Sequence, residues 1–166
     1  MGVDRLGPYD TAYLAGFVDG EGSIGIVAHN KPNTAGGKGR RTPHYRLVIG
    51  VTNTDIAVLQ WIHDRWGGSI FAKSTKNAKW APSFELRITN REACFALLLA
   101  IQPHVKVKAR QVELGLAFLN LGLARVTFSA RGKTWPRRIQ HPEDVEVRET
   151  LKRQMNALNL RGPVDA

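Results

Sequence analysis

The 166-residue sequence predicts an α+β fold in which a four-stranded antiparallel sheet carries helices on its apolar face, in the order αββαββα with C-terminal helices added. Two observations lead there. The spacing of apolar residues switches repeatedly between the helical period and the strand period of two. The alternating stretches also come in adjacent pairs, each joined by a polar, basic connection.

Each element follows from its residues. Asp10 is placed to cap a first helix from Thr11, with Leu14, Phe17 and Val18 at helical spacing and Gly20 and Gly22 at its end. Ile24, Ile26 and Ala28 then alternate with Gly25, Val27 and His29. After a cationic loop over Lys31–Pro43, Tyr45, Leu47, Ile49 and Val51 alternate with His44, Arg46, Val48 and Gly50. Asp55–Trp66 reads as a helix through Ile56, Leu59, Ile62 and Trp66, stopped by Gly67-Gly68. Two more strands, Ser69–Ser74 and Ser83–Thr89, flank a basic turn at Thr75–Lys79. Helices follow over Arg91–Ala100, Lys108–Leu123 and Glu143–Leu158.

Length and 43% hydrophobic content fit one domain over residues 1–166, with its core at about 9–123 and a basic loop plus helix over 124–166. No apolar run is long enough to span a bilayer and the first residues show no signal-peptide core, so a soluble, intracellular protein without membrane association is expected. The single cysteine, Cys94, excludes an intramolecular disulfide and a zinc site built on paired cysteines. The net charge of +10 points to a polyanionic partner. That charge is not spread evenly: Gly22–Arg91 carries +8 and His104–Arg138 carries +7, whereas Met1–Glu21 carries −3.

The outward face of the predicted sheet holds His29, Lys31, His44, Arg46, Ser83, Glu85 and Arg87, and both hairpin tips are cationic. Such a face can lie along a DNA groove; the plain alternative is a solvated sheet face. The first helix carries two further signals. Ala12, Gly16 and Gly20 recur every four residues, a strip without bulk that suits either close helix pairing or packing on the chain's own core. Asp19 and Glu21 stand at its C-terminal end, where free carbonyls disfavour acids by about 0.3–1 kcal/mol each. A divalent cation held by a carboxylate and a terminal carbonyl would compensate, as would solvent or pairing with arginines.

Leu14-Ala15-Gly16-Phe17-Val18-Asp19-Gly20-Glu21-Gly22 resembles the nine-residue signature of the LAGLIDADG homing endonucleases, with Glu21 in place of the final aspartate. The resemblance extends over about Tyr9–Leu123, to the single-motif, intron-encoded members. It takes in Ser23-Ile24, Gly67-Gly68-Ser69-Ile70, and Lys106-Val107-Lys108 after Gln102-Pro103. It implies that Glu21 binds a catalytic Mg²⁺, or another divalent cation such as Mn²⁺, with the Gly20 carbonyl. It also implies that Asn53 organises nearby water and that Lys108, with Lys106 as competitor, supports the scissile phosphate. Asp19 is expected to be structural.

A chain with one motif supplies one principal carboxylate, so the expectation is a homodimer joined through Ala12, Gly16 and Gly20 that cuts both strands of a long, nearly palindromic double-stranded DNA site; the resemblance implies that the cut leaves 3′ overhangs. His29, His44, Arg46, Ser83, Glu85 and Arg87 would meet bases, arginine favouring guanine and glutamate accepting from cytosine, and Lys73 would also bind DNA. Lys31, Lys38, Arg40, Arg41, Lys76 and Lys79, and in the tail Arg131, Lys133, Arg137 and Arg138, would hold phosphates. Two other readings share the fold: an RNA-splicing maturase bound to intron RNA, and a DNA-binding regulator that does not cut. Other motifs fail. Gly132-Lys133-Thr134 lacks the first glycine of a phosphate loop, and the five histidines lack metal-ligand spacing.

Overall fold

The computed structural model describes residues 7–32, 41–74, 81–121 and 142–160. Helix α1 (Pro8–Glu21) leads into β1 (Gly22–Pro32), which forms an antiparallel pair with β2 (Arg41–Asn53). Helix α2 (Ile56–Trp66), β3 (Ser69–Lys73) and β4 (Ser83–Ile88) follow, then α3 (Arg91–Ile101), α4 (Ala109–Leu121) and α5 (Pro142–Asn159). The sheet order is β1-β2-β4-β3, all neighbours antiparallel. Among the described residues, β2 pairs with β4 only over Ile49–Asn53, whereas it pairs with β1 from Arg41 to Val51.

Element boundaries differ from the sequence expectation by a residue or more: α2 starts at Ile56, α3 ends at Ile101 and α5 spans Pro142–Asn159, and further differences lie at the first helix, the strands and α4. The first helix begins at Pro8 after an N-cap at Gly7, so Asp10 lies within its first turn and does not cap it. Proline preorganises the first helical position and displaces the start upstream of the Asp-Thr signal. The first two strands run to Pro32 and from Arg41, shortening the expected loop from both ends, because cross-strand pairing continues through Asn30↔Pro43. Helix α4 starts one residue after Lys108. Strand β3 ends at Lys73 and β4 at Ile88, each one residue early.

Strand parity is as the alternation predicts. Ile24, Ile26, Leu47, Ile49, Val51, Leu86 and Ile88 are buried on one face. Over them pack Leu14 and Val18 of α1, Leu59 and Ile62 of α2, Leu97, Leu98 and Ile101 of α3, and Val112 and Leu119 of α4. Each such side chain contributes about 1.5–3 kcal/mol of burial, and among the described residues no polar or charged one is fully buried. Gly22 lets α1 turn directly into β1. A Cβ there would lie 2.5 Å from the Val18 carbonyl oxygen, which accepts the Gly22 N–H. Gly67 and Gly68 have positive φ (67° and 108°), the conformation that turns α2 into β3.

The C-terminal helix α5 docks under the β1–β2 hairpin. Met155 is fully buried, and Asn159 Nδ2 donates to the Ile24 carbonyl of edge strand β1 at 2.8 Å. The Tyr45 hydroxyl donates to Glu149 Oε2 at 2.7 Å, and Lys152 Nζ donates to Glu149 Oε1 at 3.1 Å. Burial, the bond to Glu149 and its charge push the Tyr45 hydroxyl up to about 12. The hydrogen bonds from Tyr45 and Lys152 hold the Glu149 carboxyl below the usual range, against the effect of burial.

Tyr45→Phe should therefore lower stability by about 1–2 kcal/mol in urea denaturation near neutral pH. The folded protein holds the Tyr45 proton more tightly than the unfolded chain, so this contribution is complete below about pH 10 and lost as pH rises through about 12. Glu149 behaves in the opposite sense: its contribution is present above the ordinary carboxylate pKa and disappears as pH falls through the depressed one. A Tyr45→Phe protein whose stability matched the parent at pH 7 would remove this tie from the fold.

Candidate functional site

Residue Glu21 ends α1, exposed to solvent, and Gly20 precedes it in a last turn whose carbonyls lack intrahelical partners. Asp19, one residue earlier, does not face water alone. Its Oδ2 accepts the backbone N–H of Lys106 at 2.7 Å and of Val107 at 3.1 Å, and its Oδ1 accepts that of Lys108 at 3.0 Å. These three amides immediately precede α4, and the Lys108 carbonyl accepts the Val112 N–H as the helix begins. Asp19 thus sits as an anion on the positive end of α4, which offsets its unfavourable place at the negative end of α1.

Burial raises the Asp19 pKa, but the amides of Lys106, Lys108 and Val107 and the Lys108 ammonium outweigh it, holding the carboxyl below its ordinary value. Lys108 Nζ also donates to the Asp19 backbone carbonyl, two residues before Glu21. The structure therefore brings Lys108 to the carboxylate end of α1. Lys106 contributes its backbone N–H there, and its own side chain is exposed. Asn53 ends β2 two residues beyond Val51, the partner of Gly22, so it lies at the same end of the sheet. Its Oδ1 accepts the Asp55 N–H at 2.8 Å, and Asp55 in turn caps α2. Among the described residues no group of three or more His, Cys, Asp or Glu side chains that could hold a metal ion is present.

The strip on α1 faces outward. Ala12, Gly16 and Gly20 are exposed, and a Cβ on either glycine would meet no atom within 4 Å. Tyr9 (88% exposed) and Tyr13 (56%) lie on the same helix. Packing on the chain's own core, the other reading of the strip, is not what the structure shows.

On the outward sheet face the register sets His29 opposite His44, Val27 opposite Arg46, and Glu85 and Arg87 in line along β4. His29, His44, Tyr45 and Arg46 line a shallow cleft of about 420 Å³. Ser83 pairs with Lys73 at the outer end of β3 and β4, and Lys31 and Arg41 fall within β1 and β2. Lys38, Arg40, Lys76, Lys79, Arg131, Lys133, Arg137 and Arg138 lie outside the described residues. Glu85 is not a free acceptor: Arg87 Nε and Nη2 donate to its Oε1 at 3.0 and 2.7 Å.

Sequence reasoning missed Phe71, which is 49% exposed on this face with the Arg87 guanidinium 5.7 Å from its ring centroid. Its odd-numbered place in β3, in line with Ser69 and Lys73, was the available signal. The contacts that Asp19 makes had none, because its partners stand far along the chain.

Asp19→Asn should cost about 2 kcal/mol in thermal or urea unfolding, since three donors lose a charged acceptor. Because the folded pKa is depressed, the Asp19 contribution is present above the ordinary aspartate pKa and lost as pH falls through the folded value. The stability gap between the parent and Asp19→Asn should therefore close on acidification, and a gap constant from pH 7 to pH 2 would contradict the assignment.

The family model described as LAGLIDADG endonuclease matches residues 14–99, from the middle of α1 through most of α3. No curated protein matches the chain. Solved structures of similar fold include the homing endonuclease I-CvuI (16% identity, 95% of this chain and 86% of that one, TM-score 0.66). The archaeal intron-encoded homing endonuclease I-Vdi141I is similar over 95% of this chain and 89% of that one, at 17% identity and TM-score 0.67. I-CeuI, a group I intron-encoded homing endonuclease, is similar at 20% identity over 74% of this chain and 58% of that one, with TM-score 0.54. With a nonapeptide ending its first helix, the αββαββα order in its fold and the family match over more than half its length, the chain belongs to the LAGLIDADG homing endonuclease family.

Proposed function

We propose that this chain is a site-specific double-strand DNA endonuclease of the intron-encoded type. It works as a homodimer on a long, nearly palindromic target and hydrolyses one bond in each strand, leaving 3′ overhangs. The observation that carries this reading is the arrangement at the C-terminal end of α1, where Glu21 is exposed and the Lys108 ammonium donates to the Asp19 carbonyl two residues before it. Related structures support the substrate: I-CvuI was crystallised with DNA in the presence of Mg or of Ca, and I-Vdi141I with DNA.

The donors at the end of α1 are all oxygen, the Glu21 carboxylate and the Gly20 carbonyl, and suit a hard divalent cation such as Mg²⁺ or Mn²⁺. Bound there, such an ion supplies charge neutralisation and an acidified water for phosphodiester hydrolysis. The chain's own residues do the rest. Glu21 fixes the position of the ion, and Lys108 places a positive charge where the scissile phosphate accumulates negative charge. Asn53, with one lone pair committed to Asp55, presents its amide hydrogens to a water. The single domain, with its core at about 9–123, offers one such set.

Two strands need two sets. Twofold packing along the exposed Ala12, Gly16 and Gly20 strip would bring the C-terminal ends of two α1 helices together, one Glu21 for each strand. The outward residues of β1, β2 and β4 would then follow the groove on either side of the axis, with the basic segments on phosphates.

Purified protein with Mg²⁺ should cut the uninterrupted form of its host gene once, at both strands, and a chelator should abolish the cut. No metal-dependent cleavage there would sink the nuclease reading and leave a binding protein. Glu21→Gln should bind the same duplex and cut it about 100-fold more slowly or worse. Gly16→Leu fills open space on a lone chain, so the monomer should keep its melting temperature while sedimentation shows loss of the dimer. A parent protein that sediments only as monomer, free and on DNA, would eliminate the proposed dimer.

A further inference from the structure

Among the residues of the four strands, Glu85 is the sole acid. It lies on the outward face, where a carboxylate facing phosphates would be repelled. Its contacts explain its presence. Arg87, two residues on along β4 and therefore on the same face, donates through both Nε and Nη2 to Glu85 Oε1. The side chain of Glu85 is 21% exposed and that of Arg87 48%. Phe71, the cross-strand partner of Glu85, places its ring beneath the guanidinium. The flanking partners of Arg87 are Gly50 on β2 and Ser69 on β3, so no bulky neighbour covers it.

We propose that Arg87 is a guanine-reading residue and that Glu85 and Phe71 are positioning residues acting through it, so that Glu85 does not itself read a base. This inference rests on the DNA-endonuclease reading and deepens it. With Nε and one Nη2 hydrogen committed to Glu85, the Nη1 hydrogens and the second Nη2 hydrogen remain free. They form the fork that fits O6 and N7 of guanine in the major groove. Fixing a guanidinium before binding reduces the rotamer freedom lost on binding, and an exposed ion pair of this kind adds little to folding. Its value therefore lies in orientation.

The test is a selection of duplexes from a randomised pool by the full-length protein in Ca²⁺, followed by competition between single-base-pair variants of the enriched site. The parent should enrich a guanine in each half-site. Arg87→Lys, which keeps the charge and loses the fork, should weaken the preference at that base pair about 10-fold or more. Glu85→Gln and Glu85→Ala should relax the same base pair and no other, while raising affinity for unrelated duplex because a negative charge is gone. Phe71→Ala should relax that base pair as well. General misfolding would lower both affinities and could not produce this opposed pair of changes. Relaxation by the Glu85 variants at a different base pair from Arg87→Lys would overturn the proposal, as would an enriched site indifferent to Arg87. A parent protein that enriches no sequence would instead defeat the DNA-endonuclease reading on which the proposal stands.

Discussion

One carboxylate joins the two ends of the candidate site. Asp19 stands where the carbonyls of α1 make an acid unfavourable, and it is made favourable by three amides of the turn that opens α4. The same contact brings Lys108 onto the α1 terminus and leaves Glu21 free beyond it. Helix α1 meanwhile is fixed from the other side, because Leu14, Ala15 and Val18 are buried in the core. Geometry at the end of α1 is therefore set by packing along the helix and by one anion at its tip. The Asp of the nonapeptide is thus a residue that ties the end of α1 to the turn before α4.

The sheet divides its labour by parity. Ile24 and Ile26 of β1, Leu86 and Ile88 of β4 and Leu47, Ile49 and Val51 of β2 are buried in the core, and the residues alternating with them lie on the other face. Helix α5 adds a constraint from beneath: Tyr45, between the outward His44 and Arg46, is tied to Glu149, so the level of the hairpin that carries these side chains is pinned to a helix. The face that would meet a polyanion is held from beneath by apolar contacts and by the hydrogen bonds of α5 to Tyr45 and to the Ile24 carbonyl.

Much of this was legible from residue spacing. Period and glycine placement located every strand and helix to within a few residues, because burial of one face leaves a period that solvent cannot scramble. The start of α1 was misplaced because Gly7-Pro8 overrides the capping signal at Asp10. The strands beside the first connection were read short, since Pro32, Arg41 and Thr42 look like loop residues until a partner strand is present. The nonapeptide exposed Glu21 and Gly20, but the partners of Asp19 and the Tyr45–Glu149 tie join residues roughly ninety or more positions apart, and no local pattern encodes them. The Glu85–Arg87 pair was a nearer miss: two residues apart in a strand means the same face, and opposite charges there meet.

The uneven pairing of β2 divides the sheet into two parts of different width. Where β4 lies beside it, over Ile49–Asn53, the strands belong to a four-stranded layer. From Arg41 to Val48 they form a ribbon of two among the described residues. Two-stranded ribbons coil more strongly than wider sheets, with the right-handed twist that L-residues impose. By that rule the hairpin twists more tightly beyond Ile49 than where β4 lies beside it, the twist increasing away from Glu21. A ribbon of that form would follow a helical groove over a longer arc than a flat sheet.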